Sequence, residues 1–137
     1  MEKKSQLYVL VKAKELTNYL ITVTEKSPKK FRFTLVNRLQ NYSLDTIESI
    51  LKANALRDTV KRMEEQDRAK ELLNMLDAFA EISLQQGCLL PKHYEQVSKL
   101  VAETLNYLQK WKMATAKGFQ KGLVFYWRKH DSRKNTK

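Results

Sequence analysis

Apolar positions recur along the chain at spacings of three and four, the interval that turns one side of a helix inward, and they predict four helices. The first runs from about Ser5 to Glu25, with Val9, Leu16, Leu20 and Val23 in one stripe and Leu7, Leu10 and Ile21 in another. Its end, LITVT, is β-branched enough to suit a strand as well. The second helix is expected to start at Ser27, with the hydroxyl capping free amides and Pro28 in the first helical position, where its missing N–H costs nothing. No Glu or Gln stands at Lys30 to complete a capping box, and Lys29 and Lys30 oppose the helix dipole. Residues 57–70 are mixed in charge and read as a polar helix start or a connection. From Ala69 the third helix carries Leu72, Leu76, Phe79 and Ala80 on one face and ends at Gly87, suited to a left-handed cap. The fourth starts at Pro91 and lines Tyr94, Val97, Leu100, Val101, Leu105, Leu108 and Trp111 along one face, with Lys99, Glu103, Asn106 and Lys110 opposite. Gly118 and Gly122 are expected to loosen the chain beyond them. The pattern thus predicts an all-α, antiparallel up-down four-helix bundle over residues 1–118 and a basic, aromatic tail over 119–137.

The second helix departs from the usual pattern. On a wheel its apolar residues, from Phe31 to Leu51, spread over roughly 240°, where a bundle helix needs a stripe of roughly 100°. Such a helix calls for cover on two sides, and a second copy of the chain is the expected cover. Phe31, Arg32, Leu35, Val36, Leu39 and Ile47 are the candidate interface. Arg32 lies inside the arc, so its guanidinium is expected to reach the rim or meet a carboxylate across the contact.

Composition adds charge to this picture. The chain has 137 residues, with three Gly and two Pro, which favours long helices over many turns. Its net charge is +11, and residues 110–137 hold nine Lys or Arg against Asp131 alone. Such asymmetry suits an anionic partner, most simply nucleic acid, or else a solvated tail. The tail admits docking on a neighbouring subunit through Leu123–Trp127, base stacking with phosphate contact, or a membrane surface, in that order. No run of apolar residues is long enough for a membrane span, and Lys12 and Lys14 interrupt the first apolar run too early for a signal peptide. The single cysteine, Cys88, forms no internal disulfide and fits a reducing cytoplasm.

No catalytic constellation emerges from the sequence. His93 and His130 lack partners at ligand spacing, and Cys88 has no adjacent base. Glu64, Glu65 and Asp67 alternate with Arg62, Arg68 and Lys70, as on a solvated charged face. No catalytic residue, metal ligand or cofactor is therefore expected. Phosphate contacts are expected from Lys29, Lys30, Arg38, Lys110, Lys112 and Lys117, with Arg128, Lys129, Arg133 and Lys134 as a supplement.

Two stretches carry a family resemblance. SPKKFRFTLVNRLQNYSLDTIESILKANAL holds Pro28, the basic pair Lys29-Lys30, the step Phe31-Arg32-Phe33 and Arg38-Leu39-Gln40. EISLQQGCLLPKHYEQVSKLVAETLNYLQKW holds Leu90, Tyr94 and Trp111. Together, over about residues 5–117, they resemble the four-helix-bundle family of 23S rRNA intervening-sequence proteins, and within it the accessory variability determinant proteins of diversity-generating retroelements. The chain departs from that pattern at Lys110, where relatives commonly carry glycine, and the tail after Gly118 does not map onto it. The resemblance implies a homopentameric ring with a positive surface that binds RNA or DNA. It also implies a reverse transcriptase as partner, with the protein assisting the copying of template RNA into mutated cDNA while doing no chemistry itself. Intervening-sequence relatives imply the alternative of an oligomeric interaction scaffold.

Overall fold

The computed structural model describes residues 2–135, with side chains described over residues 4–129. Four α-helices, α1 (Glu2–Thr24), α2 (Asn37–Ala55), α3 (Thr59–Gln85) and α4 (Pro91–Asn135), form an all-α bundle. The LITVT stretch lies within α1: Leu20 and Val23 bury against the core, and this outweighs the β preference of its branched residues. Helix α1 packs on α2 and α4, and α3 packs on the same two. Side-chain pairs fix the directions. Tyr8 stacks on Tyr107 and Tyr19 meets His93 edge-on, so α1 and α4 run oppositely. Gln6 bonds Asn54 while Gln40 bonds Thr24, which opposes α1 and α2 in the same way.

The core is Leu16, Leu20, Leu39, Ile50, Leu73, Leu76, Leu100, Leu108 and Trp111, all essentially without solvent contact. Of the two readings of residues 57–70, the polar helix start holds: α3 begins at Thr59. Asp58 caps it by accepting the Lys61 amide at 3.1 Å. Arg62, one turn further on, donates its guanidinium to the carbonyls of Ala53 and Leu56 and so satisfies the C-terminus of α2. The mixed-charge segment is helical because these polar bonds hold both ends of the turn, with no apolar stripe to announce it. At the other end Gly87 (φ 79°) closes α3. The Cys88 amide bonds the Ser83 carbonyl and the Gly87 amide that of Leu84, the bond pair of a Schellman cap.

The entry to α2 differs from the simple capped helix. Pro28 has an extended backbone (ψ 138°) and precedes a 3-10 turn, Lys29–Phe31, and a π-helical turn, Arg32–Val36. No side chain caps this start, and the Ser27 hydroxyl instead donates to the Cys88 carbonyl at 2.7 Å. Ser27 therefore ties the α1–α2 connection to the α3–α4 connection, so both lie at one end of the bundle. Helix α4 also departs from expectation. Gly118 and Gly122 lie inside it, and the helix continues to Asn135. Every residue from Lys117 to Lys129 is exposed, so this end of α4 buries little against the bundle.

Candidate nucleic-acid interface

Helix α4 organises the basic residues. At 100° per residue, Lys110, Lys117, Lys121 and Arg128 fall within an arc of about 40°. Spacings of seven, four and seven thus build a straight stripe about 27 Å long. All four side chains are exposed. Lys110, Lys117 and Lys121 line one groove with Met113 and Ser5, and Lys117, Lys121 and Arg128 line a second with Val124 and Phe125. The grooves share Lys117 and Lys121, so the stripe is continuous. Lys99 extends it toward the start of α4. Glu103, the one acid on this line within the bundle, is held by Lys12 at 2.7 Å. That pair holds the Glu103 carboxyl below its usual range and raises the Lys12 ammonium above its own.

The opposite side of this end of α4 is apolar: Phe119, Leu123, Tyr126 and Trp127 fall within an arc of about 100°. Tyr126 and Trp127 meet edge-to-face. The tail is thus an amphipathic helical extension, a feature hidden when its residues are read without a fixed helical register.

The remaining predicted contacts divide. Lys29 and Lys30 are exposed at the end that carries both connections, and the Lys30 ammonium lies 5.0 Å from the Phe31 ring centre. From His93, at that end, to Lys117 is about 36 Å along α4, so the two lysine groups do not form one patch within a chain. Arg38 is exposed but engaged, donating to the Tyr42 hydroxyl at 3.2 Å and lying over the Phe79 ring. Lys112 is partly buried and paired with Asp67, which leaves it less free for a phosphate. Lys129 is exposed about 100° from the stripe. The side chains of Arg133 and Lys134, like that of His130, lie outside the described residues. Lys121 is not among the contacts that the sequence pattern predicts. Its signal is a spacing of eleven from Lys110 and seven from Arg128, visible once the helix is known to run through both glycines.

The predicted interface residues also divide. Val36 and Leu39 are buried in the chain's own core, and Ile47, Phe31 and Leu35 are half-buried. Arg32 is exposed at the rim. The apolar surface left on and before α2 is Phe33, Leu44 and Leu51, the last two each 48% exposed.

Among the described residues, no three His, Cys, Asp or Glu side chains gather as a metal-binding set. Cys88 is buried, and that burial pushes its thiol pKa up, away from the range of a reactive thiolate. No helix among the described residues is long and apolar enough to cross a membrane. The sequence matches no protein-family model and no curated protein.

Proposed function

We propose that this chain is a non-enzymatic, oligomeric nucleic-acid-binding protein that holds phosphate backbones along the outer face of α4. The carrying observation is the continuous, exposed stripe of Lys110, Lys117, Lys121 and Arg128, between whose ends α4 carries no carboxylate. Phosphate contact of this kind is independent of base sequence and is lost steeply with salt. Four such contacts on a duplex correspond to a slope of about −3.6 in log K against log salt. The test is filter binding of RNA and DNA across a salt series, with the variant carrying both Lys117→Glu and Lys121→Glu. Affinity should fall about equally for all sequences, and the slope should lessen by about two. Binding indifferent to salt would overturn the reading. Nucleic acid should also stay uncut through long incubation with divalent metal, and cutting abolished by one carboxylate substitution would make the protein an enzyme.

The biological setting rests on the resemblance. We place the protein as an accessory of a diversity-generating retroelement, a homopentamer in the cytoplasm that partners a reverse transcriptase in copying template RNA into mutated cDNA. A reverse transcriptase gene with a variable repeat beside this gene is the expected neighbourhood. Its absence favours the second reading, an intervening-sequence-type oligomeric scaffold. The uncovered apolar positions Leu44 and Leu51 suit either reading, since both require copies to meet.

A further inference from the structure

The connection from α1 to α2 encloses a groove of about 590 Å³, within the size range of small-ligand sites. It lies at the far end of the bundle from the α4 extension. Its walls carry Lys29 and Arg32, both exposed and neither with an ion-pair or hydrogen-bond partner for its side chain among the described residues. Glu25 is the one carboxylate on those walls. Phe33, also lining the groove, is 85% exposed, the most exposed large hydrophobic side chain described. The π-helical turn Arg32–Val36 sets this arrangement. Its widened winding buries Val36 while its neighbours Arg32 and Phe33 stay in solvent, and such turns recur where a helix serves a site.

Two amides complete the lining. Asn37 accepts from Asn41 at 3.1 Å, which leaves its own NH₂ unused. Gln40 donates to the Thr24 hydroxyl at 3.0 Å, which leaves its carbonyl oxygen unused. The groove therefore offers two cations, an open aromatic face, one free donor and one free acceptor. These are the groups that hold a splayed nucleotide: cations for phosphate, a ring for stacking, and amides for a base edge. A base paired inside a duplex presents neither its face nor its pairing edge.

We propose that this groove binds one nucleotide of a single-stranded nucleic acid, with its base on Phe33, its edge against Asn37 and Gln40, and its phosphate between Lys29 and Arg32. The proposal extends the nucleic-acid reading but uses a separate site, so each can fail alone. The experiment is fluorescence anisotropy with the full chain and three labelled probes: a short single-stranded RNA, the same sequence as DNA, and the blunt duplex. Phe33→Ala should weaken single-strand binding about fivefold or more, the loss of one stacked base, and change duplex binding by less than about twofold. Phe33→Trp should restore the single-strand affinity. The two single-stranded probes distinguish RNA from DNA as the source of the nucleotide. Equal affinities of Phe33→Ala and wild type for the single strand, or equal losses on single strand and duplex, would overturn the proposal. A changed sedimentation coefficient with unchanged strand affinity would also overturn it, by making Phe33 a contact between copies. The Lys117→Glu, Lys121→Glu variant should weaken all three probes while keeping the single-strand preference. If that variant binds normally and Phe33→Ala does not, the α4 reading falls and the groove stands.

Discussion

Trp111 is the largest side chain fully enclosed by the bundle. It lies at the end of the periodic stretch that begins at Tyr94, where α4 still has helices on its inner side. Replacing it with alanine removes the packing of an entire indole and leaves a cavity the helices cannot close. Trp111→Ala should cost about 3–5 kcal/mol, read as a lower urea midpoint at an unchanged m-value. Glu103 makes the contrasting case, a contact at the surface. Its carboxyl is held low chiefly by the hydrogen bond from Lys12. A depressed carboxylate adds stability above its unfolded pKa, and that stability is lost as pH falls through the folded pKa. Glu103→Gln should therefore lower the melting temperature slightly at neutral pH and leave it unchanged in strong acid. Melting curves taken across that range check both limbs, and because the pair is only partly buried the shift should be small.

At the scale of elements, periodicity reports burial, and its reach ended where burial ended. The Val9–Val23 stripe, the Gly87 cap and the Tyr94–Trp111 face were legible because each places apolar groups inward or needs a left-handed backbone. Three features left no such trace. Helix α3 begins ten residues before Ala69 because Asp58 and Arg62 hold its first turn with polar bonds. The Ser27 hydroxyl found a carbonyl distant in sequence, which no local capping rule anticipates. Helix α4 passes both glycines with nothing packed around them, no other atom lying near the position of a Cβ at either. The stripe was half legible for the same reason: its lysines could be counted, but not aligned without the helix. The end of α4 buries no residue fully, and a lone short helix is marginal in water. Leu123→Pro should therefore cost helical ellipticity without shifting the thermal midpoint of the bundle. A parallel drop in that midpoint would mean the extension is braced by something beyond α4 itself.

For the whole molecule, two opposed forces bear on whether copies associate as proposed. The exposed Leu44 and Leu51, seven residues apart on α2, favour contact between copies. A net charge of +11 on each copy opposes it. The two respond differently to salt. Screening shortens the reach of like-charge repulsion to about 8 Å at physiological ionic strength and to about 3 Å at 1 M, while apolar contact is not weakened. Self-association should therefore strengthen as salt rises, over the range in which the proposed nucleic-acid binding should weaken. Light scattering at micromolar concentration should give more than one copy per particle, with the mass rising or holding with added salt. The variant carrying Leu44→Glu and Leu51→Glu should scatter as a monomer with an unchanged circular dichroism spectrum, because both side chains stand outside the core. A wild-type monomer at every salt concentration would leave those leucines as ordinary surface residues and remove the assembly. The phosphate stripe would then have to act one chain at a time, and the salt slope of binding would stay near that of four cations rather than a multiple of it.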